Sequence, residues 1–275
     1  MHLRSRLITT LAGVLLAFTT VAAHAQAQEE GRLLLASQVL QDLQGTRDQG
    51  IPSWLLQRAY AIAVIPGLTK VAFFFGGRRG HGVLVARKPD GTFSDPIFIT
   101  ITGGSFGFQW GVQKTDLVLV FTSPKGVVGI SGGKVTLGAG ASVAAGPVGR
   151  QASAATVQTF NAAVYSYSHN RGLFAGISLG GSEINVDDGA DADFYHQPKV
   201  RASQILSGAV TSNDFAAGRF LKAVAVSSGL APAPSPASSA SPPSSPQAAA
   251  PAQQKAPAAQ AYPLEDQSPG NNPPN

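Results

Sequence analysis

The sequence has no cysteine, one methionine and two tryptophans among 275 residues, and only 13% of its residues are charged. Without cysteine it has no disulfides, thiolate zinc site, Cys nucleophile or lipid-modified N-terminal Cys. Beyond residue 25 no stretch approaches about 18 apolar residues uninterrupted by Gly, Pro or charge, so no helix there is expected to span a bilayer. A net charge of +5 is too small to argue for nucleic acid as a partner. What remains is an uncrosslinked chain that must hold together through its core.

The first residues read as a secretory leader. Arg4 and Arg6 precede an uncharged stretch from Leu7 to Ala23, and Ala23-His24-Ala25 supplies a small-x-small cleavage pattern, so a mature chain is expected to start at Gln26. At the other end, residues 229–275 hold 12 of the 19 prolines and almost no large apolar side chains, too little to offset the entropy of ordering. That tail is expected to be a disordered spacer or an arm for envelope proteins. Residues 26–228 are left as the globular domain, and the protein is expected to be exported to the periplasm or beyond, in association with a membrane surface.

Leu33, Ala36, Leu40 and Leu43 recur at helical spacing within 29–48, with Val39 and Leu35 widening the stripe and a break at Gly45, so an amphipathic helix is expected. A second helix is expected from an N-cap at Ser53 through Ile62, ended by Pro66-Gly67. From Val71 the texture becomes β-branched and aromatic with Gly-rich punctuation, and strands are expected at 71–75, 82–87, 96–102, 106–112, 117–122, 127–130, 134–137, 163–168, 173–179 and 183–186. Lys88-Pro89-Asp90-Gly91 and Ser123-Pro124-Lys125-Gly126 carry the type I turn signature and are expected to join antiparallel neighbours. Residues 199–207 and 213–224 read as helices. The expected class is α+β: mainly an antiparallel β sheet or barrel-like sandwich with N-terminal and C-terminal helices.

Catalytic motifs fail on context. GxSxG occurs three times, around Ser105, Ser131 and Ser178, each in or between expected β segments instead of at a strand-turn-helix elbow. Gly129 to Lys134 lacks the spacing and the Ser/Thr of a phosphate loop. Asp187, Asp188, Asp191 and Asp193 lack the EF-hand pattern and read as a solvated turn and helix start. His169 and His196 have no companion at metal-ligand spacing. Neither a catalytic residue, nor a metal, nor a cofactor is expected.

The main asymmetry is in residues 49–89, which contain Arg58, Lys70, Arg78, Arg79, Arg87 and Lys88 and no acidic residue. Around Phe73-Phe74-Phe75-Gly76-Gly77-Arg78-Arg79-Gly80-His81, bulky apolar residues adjoin glycines and cations, a combination suited to an anionic interface. The competing reading is a buried strand followed by a solvated basic hairpin.

Several further blocks stand out: Ala61–Gly67 (AIAVIPG), Phe75–Leu84 (FGGRRGHGVL), Gly103–Gly111 (GGSFGFQWG), Thr136–Ala139 (TLGA), Ala141–Arg150 (ASVAAGPVGR), Tyr165–Ser168 (YSYS) and Arg171–Gly176 (RGLFAG). In this order they resemble a known family, the SYLF domain. Gly140 stands where that pattern has an Asp. The resemblance covers roughly residues 30–210 and implies a non-enzymatic, phospholipid-binding module, with actin-binding fungal relatives and many exported bacterial members. On that reading Lys70, Arg78, Arg79, His81, Arg87 and Lys88 are the candidate lipid-binding residues, with Arg150 and Arg171 secondary. The 33–43 helix or Phe73–Phe75 would supply apolar contact. A structural or protein-interaction module of the envelope is the alternative function, and a serine hydrolase a distant third.

Overall fold

The computed structural model describes residues 26–42, 50–72, 75–106, 111–147, 162–170 and 173–230. Arg150, Arg171, Phe73, Phe74, the leader, most of 151–162 and the tail from 231 onward lie outside the described residues. The chain divides into two units at Pro234/Ser235, and all the described helices and strands belong to the first.

Helix α1 (26–42) and the short α2 (Ser53–Gln57) lead into β1 (Ala61–Ala72), β2 (Phe75–Ala86), β3 (Ile97–Phe106) and β4 (Gly111–Phe121). Then follow α3 (Pro124–Ser131), β5 (Lys134–Thr136), β6 (Val143–Ala145), β7 (Val164–Asn170), β8 (Leu173–Gly176) and β9 (Ser182–Val186). Helices α4 (Asp188–Phe194), α5 (Ala202–Leu206) and α6 (Phe215–Ser227) close the described part. The nine strands form one open sheet in the order β5-β9-β3-β2-β1-β4-β7-β6, with β8 also on β7. All pairs are antiparallel except β6 with β7. The α+β architecture with helices before and after the sheet is therefore the one expected.

Several local expectations are corrected. The expected strands at 71–75 and 106–112 each straddle the end of one strand and the start of the next, β1 with β2 and β3 with β4. Ser53 is the first residue of α2, with Pro52 at the cap position. The stretch from Ala61 to Pro66 is not helix but the start of β1, because Ile62, Ala63, Val64 and Ile65 are all fully buried in a sheet covered on both faces. Such a strand carries no alternation from which to read it. Ser123-Pro124-Lys125-Gly126 is not a hairpin turn; Ser123 caps α3 by accepting from the Lys125 N–H, and Pro124 occupies the first turn. A type I turn and the first turn of a helix begin with the same residues and dihedrals. The expected strand at 127–130 is thereby replaced by α3. The Lys88–Gly91 turn forms as expected, with Gly91 N–H donating to Lys88 O at 2.9 Å.

The stripe of α1 is spent on the core: Leu33, Ala36, Val39 and Leu40 are buried, whereas Leu35, expected to widen the stripe, is at the surface with Leu34, and Leu43 lies outside the described residues. Midway along β1, Pro66-Gly67 makes a bulge that shifts the pairing with both β2 and β4. Gly67 has φ +62°, and its N–H donates to Asp116 Oδ1 at 2.8 Å. Past the bulge burial falls away, from Leu68 inside to Val71 outside. The bulge thus divides a doubly covered half of the sheet from a half that opens to solvent on the face of Val71, and at Gln113 on the other. The Gly-rich 138–147 stretch is a tight crossing, with Gly146 lying against the ring of Tyr167, whose hydroxyl donates to Pro147 O.

Candidate functional site

Cross-strand partners share a face, so the registers place each candidate side chain. One row past the bulge contains Thr69, Arg79, Lys114 and Thr102, and the next contains Val71, Gly77 and Val112. Both rows lie on the open face. Val112 is 65% exposed and Val71 38%, and Arg79 and Lys114 are exposed beside them. Among the described residues neither cation has a carboxylate at ion-pair distance. An apolar pair flanked by two unneutralised cations is thus built from three strands.

His81 sits two residues from Arg79 on the same face, its Nδ1 3.3 Å from Thr100 Oγ1 and 3.8 Å from Asp187 Oδ2. Burial and the nearby Arg32 guanidinium pull its pKa below the ordinary histidine value. Between α1 and this strand runs a groove of about 380 Å³ lined by Arg32, Leu35, Thr69, Arg79 and His81. Leu35, 60% exposed, brings a further apolar side chain to its rim.

The other candidates lie elsewhere. Lys70 and Arg78 pair with each other and with Gln113, so they point to the opposite face from Arg79. Arg78 is engaged there, donating from Nη1 to Ser178 O and from Nη2 to Gly104 O, each at 3.1 Å. Arg87 and Lys88 lie at the far end of β2, about 26 Å from Arg79 at the rise of an extended strand. Arg87 donates from Nε to Ala59 O and from Nη1 to Gly91 O at 2.9 Å, and from Nη2 to Gln57 O at 3.1 Å. Its guanidinium lies over the Phe93 ring at 4.5 Å, and Lys88 Nζ pairs with Asp90. The structure therefore does not gather the basic hairpin into one patch. It brings Arg79 and His81 together, adds Lys114 and Val112, which sequence reasoning missed, and commits Arg78 and Arg87 to backbone carbonyls.

Arg87 is thus a structural clasp holding the end of α2 to β2. Arg87→Met is expected to cost about 2–4 kcal/mol in urea unfolding, since the carbonyls it serves lose a charged donor, and Arg87→Lys recovers only part because one ammonium cannot reach all of them. A loss under about 0.5 kcal/mol would contradict this role.

The three GxSxG serines do not sit on nucleophile elbows: Ser105 lies within β3, Ser131 ends α3, and Ser178 lies in the connection between β8 and β9. The acidic run does begin a helix, with Asp187 accepting from Ala190 N–H, but Asp191 is fully buried within it. Asp191 Oδ1 accepts from Phe98 N–H at 2.8 Å, and Oδ2 is buried without a partner among the described residues. Burial, together with Asp188, Asp187 and Glu29, pushes its carboxyl up to about 8.

Residues 102–225 match the family described as Ysc84, "Las17-binding protein actin regulator". Over 166 residues the chain is 43% identical to Protein YSC84 of Saccharomyces cerevisiae, covering 59% of this chain and 35% of that protein. It is 42% identical over the same length to LAS seventeen-binding protein 3 of that yeast, covering 59% and 36%. It is 38% identical over 164 residues to the SH3 domain-containing YSC84-like protein 1 of Xenopus laevis, covering 59% and 49%. The chain thus spans between about a third and a half of the length of these curated relatives.

Proposed function

From the premise that the chain carries a domain of the Ysc84/SYLF family, we propose that it is a non-enzymatic binding protein that docks on anionic phospholipid surfaces through the open face of β1, β2 and β4. The observation that carries this reading is the pairing of exposed Val71 and Val112 with Arg79 and Lys114 in the adjoining row. Two apolar side chains of this size enter the headgroup boundary while the cations pair with phosphates, each basic residue contributing about 1 kcal/mol near an anionic surface. Arg32 and His81 line the adjoining groove, but Arg32 pairs with Glu29 at 3.1 Å, and burial together with the Arg32 guanidinium disfavours charge on His81, so the free cations of this face among the described residues are Arg79 and Lys114. Among the described residues no helix is long and apolar enough to cross a membrane, so the contact proposed is peripheral.

The leader places this activity in the cell envelope on our reading, with the Pro-rich tail available to envelope proteins. Protein binding is the second reading, and it rests on the names of the relatives, one called a LAS seventeen-binding protein.

The test is cosedimentation of the purified protein with zwitterionic and anionic vesicles across a salt series. Saturable binding to anionic vesicles that weakens as salt rises is expected. Absence of binding to either vesicle, or binding indifferent to lipid charge, would remove the lipid reading and leave the protein-binding one.

A further inference from the structure

At the opposite end of the sheet from that face lies a larger cleft, of about 800 Å³, between α2, the start of β1, the end of β4 and the start of β7. Its wall carries Arg58, Arg87 and Lys125 and no carboxylate. None of the three has an acidic partner at ion-pair distance among the described residues. Arg87 is held by carbonyls alone, which solvate its charge without cancelling it. The start of α3 adds the positive end of its dipole beside Lys125. Three like charges around one cavity repel one another, and an anion in the middle relieves all three.

The rest of the wall sets the ligand's other half. Trp54 is half-buried with its body against the core, Tyr60 is 46% exposed, and Leu55 and Ala59 lie at the base. Three hydroxyls around them are engaged with the backbone: Thr122 Oγ1 donates to Ala162 O, Ser142 Oγ accepts from Ala163 N–H, and the Tyr165 hydroxyl accepts from Ala162 N–H. Such a wall offers stacking and apolar contact, with the Gln57 amide and the Tyr60 hydroxyl as uncharged polar groups, and its volume lies in the range of small-molecule sites.

We propose that this cleft is a separate binding site for a small amphipathic organic anion, a single acid group held by Arg58 and Lys125 with an apolar body against Trp54 and Tyr60. The acid group is shared by two sources, a single acyl chain and an aromatic acid. The site is independent of the vesicle-binding face: Arg87 lies in its wall, and Arg79, about 26 Å away along the same strand, lies on the other.

The experiment is calorimetric titration of the full chain with decanoate, 4-phenylbutyrate and the neutral decanol, with Trp fluorescence followed in parallel. Saturable binding of decanoate or phenylbutyrate is expected, tighter than decanol by at least about ten-fold and weakening with salt. The better of the two acids identifies the source. The emission change is expected to vanish in Trp54→Phe, and Arg58→Glu with Lys125→Glu is expected to weaken acid binding at least about ten-fold while vesicle binding stays as in the wild type. If the double variant fails to fold, the salt dependence and decanol comparison on the unmodified protein decide. Decanol binding as tightly as decanoate, no binding of either acid, or an emission change that survives in Trp54→Phe would overturn the proposal.

Discussion

Between about pH 4 and pH 8 the protein is expected to lose stability as pH rises, and Asp191→Asn is expected to remove most of that slope. The Asp191 carboxyl is held up at about 8 in the folded state, against about 3.9 in an unfolded chain. Over that window the folded protein keeps a proton that the unfolded chain has released, so deprotonation favours unfolding. The slope is at most about 1.4 kcal/mol per pH unit and the full window roughly 5 kcal/mol as an upper bound. Glu29, raised chiefly by its own burial, acts in the same direction. His81 acts against them, because its depressed pKa makes stability fall as pH drops through the ordinary histidine range, but it is 45% exposed and its part is smaller. Asn keeps the acceptor for Phe98 N–H and replaces an orphaned oxygen with an uncharged group. Urea unfolding at several pH values should show a falling wild-type profile and a nearly level one for Asp191→Asn, the variant being the more stable at pH 8. Parallel profiles would contradict the buried-carboxyl account.

Gly82→Ala is expected to destabilise the protein by about 3 kcal/mol or more. A Cβ there would lie 2.5 Å from Val64 O and 2.9 Å from Ile65 Cα, both backbone atoms of the fully buried part of β1. The neighbours that must yield are fixed by pairing on both sides, with β2 and with β4. Gly77 and Gly104, where an added Cβ meets nothing within 4 Å, are the controls. Their alanine variants are expected to stay within about 0.5 kcal/mol of wild type. A Gly82→Ala loss no larger than theirs would mean that β1 and β2 separate more easily than the bulge geometry implies.

The same contact explains part of what was legible in the sequence. The Gly80-His81-Gly82 spacing repeats on the face that Ile65 and Leu68 lean over next to the bulge, so the motif is a packing requirement. The α1 stripe and the Lys88–Gly91 turn were legible because each is specified within a few residues. Ile62–Ile65 was not, because burial on both faces erases the period of two. Arg79 was legible as a cation of the hairpin, but its separation from Arg78 follows from strand alternation and a register set by Pro66-Gly67. Arg87 reaches carbonyls about 30 residues earlier in the chain, a capture that only the tertiary fold reveals. Lys114 and Val112 carried one available signal, the alternation Val112-Gln113-Lys114 at the start of a strand.

The central claim is that membrane contact belongs to the outward rows of β1, β2 and β4 and not to the basic hairpin as a whole. Its most direct test is anionic-vesicle cosedimentation of Arg79→Glu with Lys114→Glu beside Lys88→Glu, which changes the same sign of charge at the far end of β2. The double variant is expected to lose binding by at least about ten-fold at unchanged thermal stability, and Lys88→Glu to bind nearly as the wild type. Equal losses in both would reduce the interaction to net charge, and full binding by the double variant would contradict the assignment of this face.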